Sequence, residues 1–149
     1  RALSIWPSVA VDKALIGAAE QAEMRSLAKQ QDTEKVPMST AARSLFDLLR
    51  TKILAIDDEI IELAERKSVS YHGPAFFLEV LPRKNRITLL LALDFNEADD
   101  PSEVAKDASE HKFFVNAEYE GGVYFAIGMP EDIQKALPAI RQARELARV

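Results

Sequence analysis

The sequence predicts an α+β domain: an antiparallel sheet of about four or five strands with flanking helices, preceded by a separate N-terminal helix. Three observations carry this. Apolar residues recur at three- and four-residue spacing near both ends of the chain, as in amphipathic helices. Between them lie short β-prone runs separated by turn residues at hairpin distance. One of these runs, Ile-Thr-Leu-Leu-Leu-Ala-Leu at 87–93, is almost continuously apolar, which marks a central strand covered on both faces.

In chain order, residues 8–31 are rich in Ala and Gln, and Val11, Leu15, Ala18 and Ala22 fall on one helical face. Residues 30–37 are polar, aperiodic and close on Pro37, so residues 8–38 read as a helical connector and linker. Ser39 or Thr40 then caps a helix whose apolar face holds Leu45, Leu48, Leu49, Ile53 and Ile56, with Phe46 at its border. Residues 59–67 fit either a short helix, through Ile60, Leu63 and Ala64, or an extended run into the β-prone segment around Val69. Gly73-Pro74 breaks the chain. Strands follow at 76–81 and 86–94, joined by the turn residues Pro82-Arg83-Lys84-Asn85. The acidic loop 96–100 leads to a short helix expected over 101–109, with Pro101 in its first turn. Strands at 113–119 and 123–128 flank Gly121-Gly122, because a tight turn calls for positive φ. The last helix starts near Pro130 with Glu131 and Asp132 in its first turn. Arg141, Arg144 and Arg148 lie towards its end, complementing the helix dipole. Ile133, Leu137 and Ile140 form its apolar face, and the interior Pro138 is expected to kink or divide it.

Composition narrows the function classes. The 149 residues are 48% hydrophobic and 29% charged, the balance of a globular chain, and no apolar run approaches the length of a membrane span. No membrane partner is expected. Cysteine is absent, which excludes disulfides and thiolate metal sites and suits a reducing cytoplasm, the expected location. Residues 1–40 hold five basic and five acidic side chains, so the later part carries the whole net charge of −5. An acidic domain binds phosphate backbones only through a local basic patch.

Arg83, Lys84 and Arg86 on a hairpin tip, with Lys67 and Tyr71 expected close by, form the best local candidate for such a patch. His72 and His111 are the only histidines, almost forty residues apart and without metal-ligand spacing; with Tyr71 they form the alternative candidate, a small-molecule pocket. The run 97–100 with Glu103 and Asp107 reads as a solvated loop and helix start rather than a cation site. No phosphate-cradling glycine loop or nucleophile elbow occurs, and neither catalytic residues, metal nor cofactor are expected.

From about Thr40 onward the chain resembles a small C-terminal domain of unknown function, found alone or appended to larger bacterial proteins and sometimes catalogued as a predicted transport protein. The residues that carry the resemblance are Leu45-Phe46, Val69-Ser70-Tyr71, Phe77-Leu78-Glu79-Val80 followed by residues 82–84, Asp99-Asp100-Pro101, Lys106-Asp107-Ala108-Ser109, and Glu131-Asp132 leading to Ile140-Arg141-Gln142-Ala143. Where that family commonly has a Gly-His-Trp-like stretch, this chain has Glu110-His111-Lys112. The opening residues Arg-Ala-Leu-Ser-Ile-Trp-Pro resemble the closing helix of the His-Asn-His nuclease domain in GmrSD-type restriction proteins. That resemblance implies that residues 1–7 end a preceding nuclease-like domain and that 39–149 form its α+β tail, with no nuclease motif inside this chain. The implied function is a non-catalytic accessory module of a modification-dependent restriction or phage-defence protein, acting through self-association of the N-terminal helix, DNA binding or ligand binding. The alternative is a stand-alone small-molecule-binding domain or enzyme.

Overall fold

The computed structural model describes residues 32–109 and 122–148. Helix α1 (Thr40–Leu54) begins where the Ser39 hydroxyl accepts the amide of Ala42 at 3.1 Å, satisfying one of the amides that a helix start leaves open. Its buried face is Ala42, Leu45, Phe46, Leu49 and Ile53. Phe46 is therefore central rather than marginal, and Leu48, expected inside, is 48% exposed. The helix is rotated so that its largest ring reaches the sheet, since a buried Phe returns more transfer free energy than a second Leu at the rim. Arg43 anchors the preceding chain, donating to the carbonyls of Thr33 at 3.0 Å and Val36 at 2.6 Å. Thr33 and Val36 are buried against this core.

Five hydrogen-bonded pairings, all antiparallel, join six strands: β1 (Ile61–Ala64), β2 (Val69–His72), β3 (Phe76–Pro82), β4 (Ile87–Leu91), β5 (Lys106–Asp107) and β6 (Val123–Ile127). Their order is β1-β2-β3-β4-β6-β5. The fold is α+β as expected, with a slightly larger sheet. Strand β4 is buried along its whole length, which bears out the reading of its apolar run.

Helix α2 (Pro130–Leu146) packs on β3, β4 and β6 and against α1, on the same face of the sheet. Tyr71, Leu78, Val80, Leu89, Phe125 and Ile127 meet Ile133, Leu137 and Ile140 there in one apolar cluster. Pro138 does not divide α2. Ile133 and Leu137 before it and Ile140 and Ala143 after it all stay on the core, and their burial outweighs one missing backbone hydrogen bond.

One segment settles an open alternative and another departs from its expected form. Residues 59–67 supply β1 as an edge strand, in which Glu62 points inward while Ile61 and Leu63 stand outward, 46% and 45% exposed. Residues 101–109 are not helical: Glu103 adopts φ 55, and the Asp100 carboxylate accepts the amides of Val104 at 3.2 Å and Ala105 at 2.8 Å. A side chain takes the place of the helical carbonyls, and the freed chain pairs as β5. The loop before it is held by Gln142, which accepts from the Asp99 amide at 2.6 Å and donates to the Glu97 carbonyl at 2.8 Å. Gly122 enters β6 at φ 95, in the region glycine favours. The expected helix over 8–31, the strand over 113–119 and Gly121 lie outside the described residues.

The inward position of Glu62 has a specific cause. Arg50 of α1 donates to it through Nε at 2.9 Å and Nη2 at 3.1 Å, and the Tyr71 hydroxyl donates to it at 2.7 Å. The Glu62 side chain is 1% exposed, so these partners replace its hydration shell. Burial first, and then the charge and hydrogen bond of Glu62, push the Tyr71 phenol well above its ordinary value, with Arg50 opposing. Glu62→Gln leaves the Arg50 cation without its counter-charge and is expected to lower stability by about 3 kcal/mol. Tyr71→Phe removes one donor and leaves the ion pair, for a loss of about 2 kcal/mol. Urea unfolding of the two variants checks the order, which would be reversed if the hydroxyl rather than the ion pair held β1 in place.

Candidate functional site

Strand direction decides which of the candidate residues meet. Strands β1 and β3 run towards one end of the sheet, and β2 and β4 run back from it. The turns that connect each pair therefore sit at the same end. In the first, the Glu65 amide donates to the Ser68 carbonyl at 2.8 Å, leaving Arg66 and Lys67 at its tip; in the second, the Arg83 amide donates to the Arg86 carbonyl at 2.8 Å, leaving Lys84 and Asn85 outermost. Arg66, Lys67, Arg83, Lys84 and Arg86 are all exposed. Three carboxylates on the neighbouring segments accept hydrogen bonds from local groups. Glu65 accepts the Ser70 hydroxyl at 3.2 Å, and Glu79, buried, accepts the Ser68 hydroxyl at 2.7 Å. Asp132, at the start of α2, accepts the amides of Gly128 and Met129 at 2.9 and 3.2 Å.

The other candidates do not join this end. Tyr71 is fully buried and its hydroxyl is held by Glu62, so it presents nothing to a ligand. His72 ends β2 at the opposite end of the sheet, its ring edge-on to Phe76 at 5.6 Å and its Nε2 3.3 Å from the Ser70 hydroxyl. His111 lies outside the described residues. Among the described residues no group of three or more His, Asp or Glu is arranged to hold a metal ion, and no helix is long and apolar enough to cross a membrane.

The opposite end is organised around Arg144, which is buried. Its guanidinium donates to Asp57 through Nε at 2.8 Å and Nη2 at 3.1 Å, and through Nη1 to the Gly73 carbonyl. A planar fork suits this bidentate arrangement, and a lysine could not reproduce it. Gly73 is required by the close approach: a Cβ there would lie 2.8 Å from the Arg144 Cζ and Nη1. Arg148 adds a further contact to Asp57 at 3.1 Å and pairs with Glu145 one turn back.

These groups were absent from the sequence-based candidates. The place of Arg144 near a helix end suggests no more than a partner for the helix dipole. The available signal was its register, seven residues after Leu137, on the apolar face of α2. An arginine at an apolar position is a buried arginine in need of acceptors.

A family model described as "Domain of unknown function (DUF5655)" matches residues 29–147. The chain belongs to the DUF5655 family. This DUF5655 chain matches no curated protein and no solved structure. The matched residues contain both ends of the sheet just described, together with Asp57, Gly73 and Arg144.

Burial alone would raise the Asp57 carboxyl; the Arg144 hydrogen bond, the Glu59 amide and the charges of Arg144 and Arg148 outweigh it and hold the group below its ordinary value. A carboxyl whose folded-state value is depressed contributes stability above its unfolded value, and that contribution is lost as pH falls through the folded value. Stability of the DUF5655 chain is accordingly expected to fall below about pH 4. Asp57→Asn is expected to be less stable at pH 7 and to show a flatter acid limb. Urea midpoints collected from pH 7 downward check this; parallel acid limbs for the two proteins would mean that Asp57 is not the group responsible.

Proposed function

We propose that this chain is a non-catalytic accessory module at the C-terminus of a bacterial, cytoplasmic restriction or phage-defence protein, and that it positions the preceding nuclease by gripping nucleic acid. The observation that carries the reading is the convergence of two basic turns, Arg66-Lys67 and Arg83 to Arg86, at one end of a domain whose overall charge is negative. A local cluster of this kind contacts the phosphate backbone without reading sequence, so it suits positioning rather than recognition. The nuclease itself belongs to the part of the polypeptide that the opening residues 1–7 resemble. The hydrogen-bonded turns place the backbone from which these exposed side chains reach, so loop ordering adds little to the cost of binding.

Self-association through residues 8–31 completes the proposal, since two copies of the basic end on one duplex would grip it more tightly than one. Leu15 falls on the apolar face of that segment. The full chain is expected to sediment as an oligomer, and Leu15→Glu as a monomer; an unchanged sedimentation profile would remove this part of the proposal.

Duplex DNA, plain and base-modified, is expected to bind the full chain at low salt, with log K falling by about three to five for each tenfold rise in salt. Replacing Arg83, Lys84 and Arg86 together by Gln is expected to reduce that slope by about three and to abolish detectable binding near 0.2 M salt. Absence of binding at the lowest salt, or binding unaffected by the triple substitution, overturns the proposal.

A further inference from the structure

The C-terminal ends of α1 and α2 leave between them a groove of about 470 Å³. Lys52 and Ile56, one turn apart, line it from the α1 side together with Ala55, the residue that closes that helix. On the other side stand Arg141, Arg144 and Arg148, whose three- and four-residue spacing puts them on one stripe of α2. Four cations thus border a single groove.

Three carboxylates pair here, and they serve two of these cations. Asp57 is gripped bidentately by the buried Arg144. Arg148 lies 3.1 Å from Asp57 and 3.9 Å from Glu59, and it donates to Glu145 one turn back. Glu145 also stands four residues after Arg141, but an acid on the C-terminal side of a base is the weaker orientation at that spacing, and its ion pair is with Arg148. Lys52 and Arg141 are exposed and have no ion-pair partner among the described residues. Lys52 is in the last turn of α1, where the helix dipole favours a cation, whereas Arg141 lies before the last turn of α2 and gains little from it. Two cations from different helices therefore border one groove without a counter-charge, a repulsive arrangement that an anion between them relieves.

We propose that this groove binds the phosphate group of a small phosphate monoester. A monoester carries about 1.5 to 2 negative charges at neutral pH, which matches two unpaired cations better than the single charge of a diester. The Arg141 guanidinium offers the phosphate oxygens a planar pair of donors, and Lys52 offers a point charge from the opposite wall. Arg144 and Arg148 already have carboxylate partners and take no part in the grip. Beside the cations, Ala55 and Ile56 give a small organic body an apolar surface to rest on. The volume falls in the range of small-ligand sites. None of these residues belongs to the basic turns, so the inference stands or falls independently of DNA positioning.

The test is amide chemical-shift titration of the full chain, at constant ionic strength, with phenyl phosphate, inorganic phosphate and dimethyl phosphate. Phenyl phosphate is expected to give saturable shifts at the ends of α1 and α2, and inorganic phosphate to shift the same amides. Dimethyl phosphate, a diester, is expected to bind at least about tenfold more weakly than phenyl phosphate. The double variant Lys52→Gln/Arg141→Gln, changed at two exposed positions, is expected to keep the remaining amide spectrum and to bind phenyl phosphate at least about tenfold more weakly. Replacing Arg83, Lys84 and Arg86 by Gln is expected to leave that affinity unchanged. Four results overturn the proposal: no saturable shift with millimolar phenyl phosphate, equal affinity for the diester, affinity retained in the double variant, or affinity lost in the basic-turn variant.

Discussion

The buried Arg144 guanidinium is the constraint on which the arrangement of this domain depends. A cation in an apolar interior is tolerated only when its donors and charge are matched, and here the arginine and its two partners come from three separate parts of the chain. Asp57 follows α1, Gly73 begins the β2–β3 turn, and Arg144 lies near the end of α2. Fixing one side chain therefore fixes where α1 ends, how the β2–β3 turn approaches and how far α2 extends across the sheet. The absence of a Cβ at Gly73 is part of the same arrangement, because any other residue would stand where the guanidinium must lie.

A second buried pair does the same for the edge of the sheet. Strand β1 has little apolar reason to pair, since Ile61 and Leu63 remain nearly half exposed. What holds it is Glu62, gripped by Arg50 from α1 and Tyr71 from β2. In both cases an arginine on an otherwise apolar helix face reaches a carboxylate in an irregular or marginal segment. Apolar burial places the helices on the sheet, and these ion pairs define how the less regular chain is attached to them. The two ends of the sheet are left chemically different: cations on short turns at one, a buried arginine with its carboxylate at the other.

Much of the architecture was legible because the apolar patterns were strong. The run at 87–93 became the buried β4, Ser39 capped α1, and Ile133, Leu137 and Ile140 faced the core. Legibility failed where polar side chains replaced backbone partners. Asp100 turned a plausible helix start into a loop and a short strand, and Glu62 made a strand of a segment whose apolar residues equally suited a helix. Periodicity counts apolar residues, so it is blind to a buried carboxylate. For the candidate sites, the grouping of Arg83, Lys84 and Arg86 was readable as a turn, and strand direction puts Lys67, expected close by, at the same end of the sheet. The separation of Tyr71 from His72 was not readable, because adjacent strand residues point to opposite faces and nothing local says which face is covered. The pairing of Asp57 with Arg144 unites residues 87 positions apart, a juxtaposition that only the folded topology creates.

Chain synthesis gives the Arg144 contacts another significance. The arginine lies near the end of α2, whereas both of its partners precede β3. At about 5–20 residues per second, several seconds separate the appearance of Asp57 from that of Arg144 on a ribosome. Throughout that interval the hairpins can form while the turn at Gly73 and the loop at Asp57 stay hydrated and unmatched. The domain thus gains this cross-link only once α2 has been made, so the attachment of the Asp57 and Gly73 segments settles after the hairpins.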